Sequence, residues 1–483
     1  MTGQRDQIWT MPATEQARLI RERELSPVEL MEITLERVAA LNPKLNAICV
    51  LDADGAMAAA RAAEKAAVSG GELKPLHGIP VAIKDLVATK GMRTTFGSKL
   101  YEDFVPDEDD ICVARLRDAG AIVIGKTNVP EFGYQGVTDN KIFGVTRSPW
   151  HPDRTPGGSS GGSGAAVAAG MVALAIGNDG GGSIRIPSSF CGLYGIKPTF
   201  GRVPLYPGCR DPRHPGASSW ESLEANGPMT RTVADSALML SVIAGPSHMD
   251  RHSLPDEGVD YMGAVRDPDI EGLRVAYSPD WGYAAVDPAV RRIVGEAVMA
   301  FEELGCHVEE AHPGFSDPLD AFWALVARDT DLSGLRKLAR ERGDEMGVQL
   351  RGLLARDWTA EEFTDATFVR QAVTNAMNRF MERYDLLLTP TLAVPPFGLG
   401  INGPTEIDGR TVHEAAWLAF TFPMNLTGQP AATVPAGWTG DGLPVGLQIV
   451  GRRLDDALVL RASAAYEAAR PWHDRWPEMA KAA

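Results

Sequence analysis

The chain has 483 residues, 44% of them hydrophobic, so it can bury a large core as one large domain or as roughly three smaller ones. Its formal net charge of −16 argues against nucleic acid and anionic membrane as partners. The five cysteines are widely separated and form no C-x-x-C pair, which argues against a disulfide framework or a structural zinc site and favours a reducing cytosol.

The N-terminal residues are polar and lack the apolar stretch of a signal peptide, which predicts a cytoplasmic protein. Ser26 and Glu29 form a capping-box pattern with Pro27 at the first helical position, so we predict that a helix begins here. The most membrane-like run, 164–177, is only 14 residues long and rich in alanine and glycine. A bilayer span needs about 20 residues, so this run is interpreted as a buried helix that leads into a strand.

Apolar runs that resemble strands alternate with helical stretches along much of the chain. The strand-like runs are 79–83, 121–124, 172–176 and 273–277, and the helical stretches include 109–118 and 288–304. This alternation predicts an α/β fold with a large, mostly parallel sheet between helices. Two late runs, 431–438 and 443–451, flank a turn with Asp441-Gly442, which predicts an antiparallel hairpin and therefore a mixed sheet.

Lys84 directly follows the apolar run Val81–Ile83 in the segment HGIPVAIKDL. A lysine at the end of a buried strand is poorly solvated, and desolvation favours its neutral form. Neutral lysine is a competent general base. Taken by themselves, these residues leave open the alternative of an ordinary lysine exposed at a strand end.

The segment GAIVIGKT, residues 120–127, formally matches a phosphate-binding P-loop. Such a loop is open around the phosphate, whereas Ala121–Ile124 form an apolar run suited to a buried strand. The next residues, Asn128-Val129-Pro130, do not continue as a helix. We therefore predict a strand here and no nucleotide site.

Ser159 lies in the glycine-rich segment GGSSGGSG, residues 157–164, directly before an alanine-rich helical stretch. The neighbouring Ser160 and Ser163 are predicted to cap that helix or to hydrogen-bond within the loop. Residues 157–161 also match the G-x-S-x-G nucleophile elbow. That motif follows a buried strand, but the residues before it form a proline-punctuated loop, so the elbow is disfavoured.

Ser183 follows three glycines in the segment NDGGGSIR, residues 178–185. Glycines permit a tight turn whose N–H groups no side chain screens, and amides aimed at one point form an oxyanion hole. The predicted donors are the amides of Gly180, Gly181, Gly182 and Ser183. Asp179 and Arg185 flank the turn and are predicted to hold it by an ion pair or by backbone hydrogen bonds. An ordinary glycine turn or a phosphate nest is the alternative.

These three segments together resemble the amidase signature family. The family pattern is a lysine after HGIPV-type residues, a GGSSGG loop and a GGS-[IV]-R segment, and here Ser183 follows Ser159 by 24 residues (183 − 159). The resemblance continues through GKTN, IPSSFCGLYGIKPTFGRV, GPMTRTVAD and TGQPAATVPAG. It implies one domain over 1–483, with a signature core at about 70–235 and a large mixed sheet sandwiched between helices.

The resemblance also implies a role for each motif residue. Ser183 is the nucleophile, Ser159 the bridging serine after a cis peptide bond, and Lys84 the base. Asp179, Arg185 and Ser160 have supporting roles. The implied reaction is hydrolysis of a small-molecule amide, carbamate or ester through an acyl-enzyme, without a metal or organic cofactor, by a monomer or homodimer.

Several members of the family fit the pattern. Broad-specificity amidases and aryl-acylamidases come first, and the NDGGGSIRIP context also resembles oligoamide hydrolases such as the 6-aminohexanoate cyclic-dimer hydrolase. The main alternative is the glutaminase subunit of the tRNA-dependent amidotransferase, which usually has Leu-Asp-Gln where this chain has Leu223-Glu224-Ala225. A non-catalytic binding scaffold is disfavoured because all three catalytic positions are intact.

Residues 319–380 are mostly helical in pattern and include a capping box at Thr359–Glu362. They are interpreted either as core packing or as a helical cap over the active site. If the segment is such a cap, the candidates for the residues that face substrate are Phe363, Phe368 and Met377, and the sequence leaves open which of them point inward. A second irregular segment, the loop 206–219, offers Arg210, Arg213 and His214 as substrate contacts, although a solvated loop is favoured.

Overall fold

The computed structural model describes residues 7–208, 214–217 and 220–482. The strands in this part of the chain are β1 (Ile48–Leu51), β2 (Pro80–Lys84), β3 (Ile122–Thr127), β4 (Leu174–Asp179), β5 (Tyr194–Lys197), β6 (Ala225–Thr230), β7 (Arg274–Tyr277), β8 (His307–Glu310), β9 (Leu386–Pro390), β10 (Glu406–Ile407), β11 (Arg410–Thr411), β12 (Ala431–Trp438) and β13 (Pro444–Gly451).

The α-helices of the described residues are α1 (Ala13–Glu22), α2 (Pro27–Leu45), α3 (Ala53–Val68), α4 (Ile111–Asp118), α5 (Gly161–Ala168), α6 (Arg185–Cys191), α7 (Val233–Ile243), α8 (Tyr261–Arg266), α9 (Pro288–Glu303), α10 (Leu319–Asp329), α11 (Leu332–Arg342), α12 (Val348–Ala355), α13 (Ala360–Met381), α14 (Phe422–Thr427), α15 (Asp456–Ala469) and α16 (Glu478–Lys481). No helix in these ranges is long and apolar enough to cross a lipid bilayer.

Eleven strands form one sheet in the order β1-β3-β2-β4-β6-β5-β12-β13-β9-β7-β8, and β10 pairs with β11 separately. The predicted large mixed sheet is confirmed, but four of its ten neighbouring pairs are parallel and six are antiparallel. Parallel pairs are therefore fewer than the alternation of strands and helices predicted. A chain that returns by a loop or a tight turn pairs antiparallel, and β5 reaches β6 without a helical crossover in the described residues.

The individual elements agree with the sequence patterns. The four strand-like runs overlap β2, β3, β4 and β7, and the two late runs form the hairpin β12–β13, in which Ala431 pairs with Val450. The P-loop-like segment lies in β3, and the run 164–177 is a helix end followed by a strand, as predicted. Ser26 Oγ accepts from the amides of Val28 and Glu29 at the start of α2.

Helices cover both faces of the sheet because successive strand residues point to opposite sides. Val81 and Ile83 of β2 belong to one buried cluster that includes residues of α1 and α7. Ala82, between them, belongs to a second cluster with the alanines of α5. The sandwich of a sheet between helices is therefore confirmed.

The strands and helices that carry the three sequence motifs meet at one edge of the sheet. Strands β2 and β4 are parallel neighbours, so their carboxyl ends, Lys84 and Asp179, lie at the same edge. Helices α5 and α6 begin there, directly after the two serine-containing turns. Crevices at the carboxyl ends of strands are the usual binding sites of open α/β sheets.

Candidate active site

Lys84 is the last residue of β2, and its side chain is fully buried. Its Nζ lies 2.7 Å from Ser159 Oγ and 3.2 Å from the carbonyl oxygen of Asn178, and it also donates to Asn178 Oδ1. Burial lowers the pKa of Lys84 to about 7, against the opposing effect of the Glu224 and Asp179 carboxylates. Lys84 is therefore no exposed lysine, and its neutral form is well populated at neutral pH.

Ser159 precedes α5, and the Gly158–Ser159 peptide bond is cis, as the family resemblance implies. The neighbouring Ser160 occupies the N-cap position, but its hydroxyl donates to the carbonyl oxygen of Asn178 at 3.3 Å instead of capping the helix. The amide of Ser160 donates to the carbonyl oxygen of Ser183 at 3.3 Å. Ser160 thus ties the Ser159 loop both to β4 and to the second serine turn.

Ser159 and Ser183 line the same pocket. The polar residues that share it with them are Asn178 and Glu224. Its apolar side chains are Leu86, Phe132, Ala217 and Trp220. The two serines and a hydrophobic wall are therefore presented to any molecule that enters.

The glycines before Ser183 are needed because neighbouring side chains leave no room for a Cβ. An added Cβ would lie 2.6 Å from Trp220 Cε3 at Gly180, 2.7 Å from Phe322 Cζ at Gly181, and 2.5 Å from Thr421 Oγ1 at Gly182. Gly182 also has a φ of +131°, which L side chains rarely adopt. The turn is therefore packed tightly from three sides.

Asp179 and Arg185 form the predicted ion pair across this turn. Arg185 Nε lies 2.9 Å from Asp179 Oδ2 and Nη2 lies 2.8 Å from Oδ1, with both side chains fully buried. Burial by itself would raise the pKa of Asp179, but the Arg185 guanidinium lowers it to about 2. The guanidinium also donates to Thr421 O, Gln448 Oε1 and Asn425 Oδ1. The pair thus anchors the turn that carries Ser183 to distant parts of the chain.

The amide of Gly182 donates to Asp179 Oδ1 at 2.7 Å. Its hydrogen is therefore directed at the carboxylate, which removes Gly182 from the predicted set of oxyanion donors. The amides of Gly180, Gly181 and Ser183 donate no hydrogen bond to any described residue. These three amides stay in the predicted set of oxyanion donors.

Sequence reasoning missed Asn178 and Glu224. Asn178 Nδ2 donates to Glu224 Oε1, so the pair continues the contacts of Lys84 toward the pocket. Asn178 directly precedes Asp179 in the second serine motif, which was a signal for its placement. Glu224 lies 46 residues further along the chain, in the stretch compared above with Leu-Asp-Gln of the amidotransferase subunit, and only folding shows that it contacts Asn178.

The helical segment 319–380 approaches the site through Phe322 of α10. Its ring lies against Gly181 and makes an edge contact with Trp220, with 6.3 Å between ring centroids. Phe322, Phe132 and Trp220 belong to one buried cluster that α10 to α13 complete. The capping box that starts α13 is confirmed, since Glu362 N donates to Thr359 Oγ1 and Thr359 N donates to Glu362 Oε2.

The three residues predicted to face substrate from this segment do not line the pocket. Phe368 is 71% exposed, and Met377 is buried in the cluster that contains Val81 and Ile83 of β2. Phe363 stacks on Trp358 with 6.0 Å between ring centroids. The prediction was wrong because helical spacing indicates which face is buried but not which neighbour covers it.

The loop 206–219 contributes Gly216 and Ala217 to the pocket wall. His214 packs on the ring of Phe104, with 4.5 Å between centroids, and is not among the described lining residues. Arg210 and Arg213, also predicted as substrate contacts, lie outside the described residues.

Comparison with known proteins agrees with this geometry. The amidase family model matches residues 29–460. An acylamidase from Rhodococcus erythropolis is 41% identical over 474 residues, covering 97% of each chain. A glutamyl-tRNA(Gln) amidotransferase subunit from Roseiflexus castenholzii is 36% identical over 500 residues, covering 98% of each.

Solved structures show the same architecture. A bacterial aryl acylamidase of the amidase signature family superimposes with a TM-score of 0.90 at 31% identity, covering 98% of this chain and 99% of the other. The 6-aminohexanoate cyclic dimer hydrolase complexed with substrate gives a TM-score of 0.86 at 31% identity with the same coverage. The chain belongs to the amidase family, and it is an amide hydrolase.

Proposed function

We propose that the protein is a serine amidohydrolase that cleaves small-molecule acyl amides and anilides through a covalent acyl-enzyme. The observation that carries this proposal is the fully buried Lys84, whose Nζ lies 2.7 Å from Ser159 Oγ on a pocket that Ser183 also lines. A hydroxyl becomes a useful nucleophile when a neighbouring base takes its proton. A buried neutral lysine behind a bridging serine supplies such a base.

In the first step, Ser183 Oγ attacks the substrate carbonyl carbon. Its proton passes to Ser159 Oγ, which in turn gives its own proton to neutral Lys84. The carbonyl oxygen becomes an oxyanion, and the amides of Gly180, Gly181 and Ser183 are the groups that can donate to it. Removing one such donor typically costs about 3–4 kcal/mol of transition-state stabilisation.

In the second step, the Lys84 ammonium returns a proton through Ser159 to the leaving nitrogen, and the C–N bond breaks. Water then attacks the ester of Ser183 by the same relay and releases the carboxylic acid. Carbamates and esters pass through the same tetrahedral geometry, so we include them in the proposed substrate range. The scheme uses these side chains and amides without a metal or organic cofactor.

The pocket wall favours apolar acyl or leaving groups. Leu86, Phe132 and Trp220 present hydrophobic and aromatic surface beside the two serines. Apolar burial is worth about 25 cal/mol per Å², so an aryl or alkyl group gains binding energy that a small polar amide lacks. The similarity to an acylamidase and to an aryl acylamidase supports the same substrate class.

Glutamine hydrolysis within an amidotransferase assembly is the second candidate, because 36% identity extends over 98% of an amidotransferase chain. Free glutamine carries an α-carboxylate, which a site usually binds with a cation. Among the described residues that line the pocket, Glu224 is the charged one, and its sign is wrong for a carboxylate. Glu224 can pair with the α-ammonium group of glutamine, but no described lining residue is a cation for its α-carboxylate, so we place the acyl amide role first.

The test is a substrate panel measured on the purified protein alone: anilides, primary amides, carbamates, esters, oligoamides and glutamine. We expect hydrolysis of anilides with apolar acyl groups by the wild-type protein and none by Ser183→Ala. Activity on glutamine that appears only with added partner proteins would replace this proposal with the amidotransferase role.

A further inference from the structure

Glu224 lines the pocket, and its carboxylate accepts a hydrogen bond from the side chain of Asn178. Asn178 Oδ1 in turn accepts from Lys84 Nζ. We propose that Glu224 is a positioning residue, which fixes the Asn178 carboxamide so that Lys84 presents its lone pair to Ser159. This inference rests on the proposed function, because it concerns the base of that reaction.

The orientation of the Asn178 carboxamide follows from its two neighbours. An ionised glutamate only accepts hydrogen bonds, so the end of the carboxamide that faces Glu224 is Nδ2. The end that faces Lys84 is then Oδ1, an acceptor for the amine. A flipped carboxamide would set its oxygen against the carboxylate, which repels it. It would also direct its N–H at the lone pair of neutral Lys84, which would then no longer be available to Ser159.

The hydrogen-bonding groups of the Lys84 amine explain why this orientation matters. Neutral Lys84 has two N–H donors and one lone pair. Asn178 offers two acceptors within reach, its backbone oxygen at 3.2 Å and its Oδ1. Both N–H groups are thereby used, and the lone pair is left for the hydroxyl of Ser159 at 2.7 Å. If Asn178 turned away, an N–H of Lys84 would be free to rotate toward Ser159 and the lone pair would point elsewhere.

The pKa of Lys84 provides a second, independent test of the role of Glu224, because it depends on the charges around the amine. Burial lowers its pKa, while the carboxylates of Glu224 and Asp179 raise it. Asp179 is held by Arg185 in their ion pair. Tyr134 also lies near Glu224, but burial raises the pKa of its phenol to about 12, so the phenol stays neutral over the pH range in which activity is measured. Removing the charge of Glu224 therefore lowers the pKa of Lys84 further.

The experiment compares Glu224→Gln and Glu224→Ala with the wild type by pH profiles of kcat and kcat/KM on one good substrate. Glutamine has the same shape and an oxygen that accepts from Asn178, so its kcat plateau should stay near that of the wild type. Its acid limb should move to lower pH. Alanine removes the acceptor, so kcat should fall about 10- to 100-fold, with a smaller change in KM.

Glu221→Gln is the matched control, because it removes the same charge three residues earlier, where Glu221 pairs with the exposed Arg251 and does not line the pocket. It should reproduce the wild-type profile. The inference is overturned if both Glu224 variants keep the wild-type kcat and acid limb, or if they change KM alone. Thermal unfolding checks that the variants fold, and if Glu224→Ala does not fold, the acid limb of the isosteric Glu224→Gln still decides. Failure of the proposed function would give a different result. The wild-type protein would then hydrolyse no amide, or Lys84→Ala would hydrolyse the substrate at the wild-type rate.

Discussion

Arg185 and Asp179 form a two-point ion pair without exposed surface, directly beneath the turn that carries Ser183. The same carboxylate accepts from the amides of Gly182 and Ile184, and therefore holds the turn on both sides of Ser183. Arg185 extends the anchor to the backbone of Thr421. Strand β4, the turn that carries Ser183 and the start of α14 are thus held by one buried pair of charges.

Asp179→Asn should destabilise the protein by about 3–5 kcal/mol, because it leaves the Arg185 guanidinium buried without its counter-charge. Activity should fall as well, since the turn loses its anchor. Urea unfolding followed by circular dichroism measures the stability. Glu15→Gln is the control, because the Glu15–Arg18 pair is on the surface and should contribute little. Equal stability of the two variants would contradict an anchoring role for the pair.

The pH dependence of activity should have an acid limb near pH 7. Burial lowers the pKa of Lys84 from 10.5 to about 7, so the amine is neutral above that pH and protonated below it. Only the neutral amine accepts the proton of Ser159. kcat/KM should therefore fall about tenfold per unit below pH 7 and level off above about pH 8.

A second buried lysine provides the control for this profile. Burial also lowers the pKa of Lys197 to about 7, but Lys197 Nζ donates to Pro198 O and does not line the described pocket. Lys197→Met should keep the acid limb if the variant folds. A flat wild-type profile between pH 6 and 9, with the chemical step rate-limiting, would contradict Lys84 as the base.

Gly182→Ala should lower kcat strongly and reduce thermal stability. Its φ of +131° disfavours any side chain, and the added Cβ would push against Thr421, whose hydroxyl donates to Gly181 O at 2.8 Å. Gly400→Ala is the matched control, with a φ of +83° but no atom near the added Cβ. It should lose some stability and keep full activity. Similar kinetics for the two variants would show that close packing at Gly182 does not matter.

Much of the fold and most of the site follow from local sequence patterns. Apolar runs located the strands, Asp441-Gly442 located the hairpin, and the short motifs around Lys84, Ser159 and Ser183 selected the family. These signals are short-range, since each depends on residues a few positions apart. Lys84 lies at a strand end and the two serine turns lie directly before helices, and local patterns predict the positions of strand ends and helix starts well.

What the sequence did not show depends on contacts between distant segments. Arg185 donates hydrogen bonds to Thr421 and Gln448, which lie 236 and 263 residues further along the chain, and no local pattern predicts such contacts. The segment 319–380 has a clear buried face, but its spacing could not select Phe322 over Phe368 as the residue near the site. The donation from Gly182 to Asp179 is a backbone detail of the turn, and residue identity alone does not reveal it.

Trp220→Ala should lower kcat/KM for an anilide about 10- to 100-fold, because the ring forms part of the apolar wall of the pocket. A small aliphatic ester that does not reach this wall should lose much less. Phe368→Ala, at a side chain that is 71% exposed, is the control and should change neither substrate. A uniform loss on both substrates that follows lost thermal stability would reduce Trp220 to a packing residue.

The central claim is that Ser183, activated through Ser159 by Lys84, is the nucleophile. The most direct measurement is labelling with a serine-directed fluorophosphonate, followed by mass spectrometry of the digested protein. We predict one label on Ser183, no label in Ser183→Ala, and labelling slowed by orders of magnitude in Lys84→Ala. Label on Ser159 with Ser183 unmodified, or labelling of Lys84→Ala at the wild-type rate, would contradict the claim.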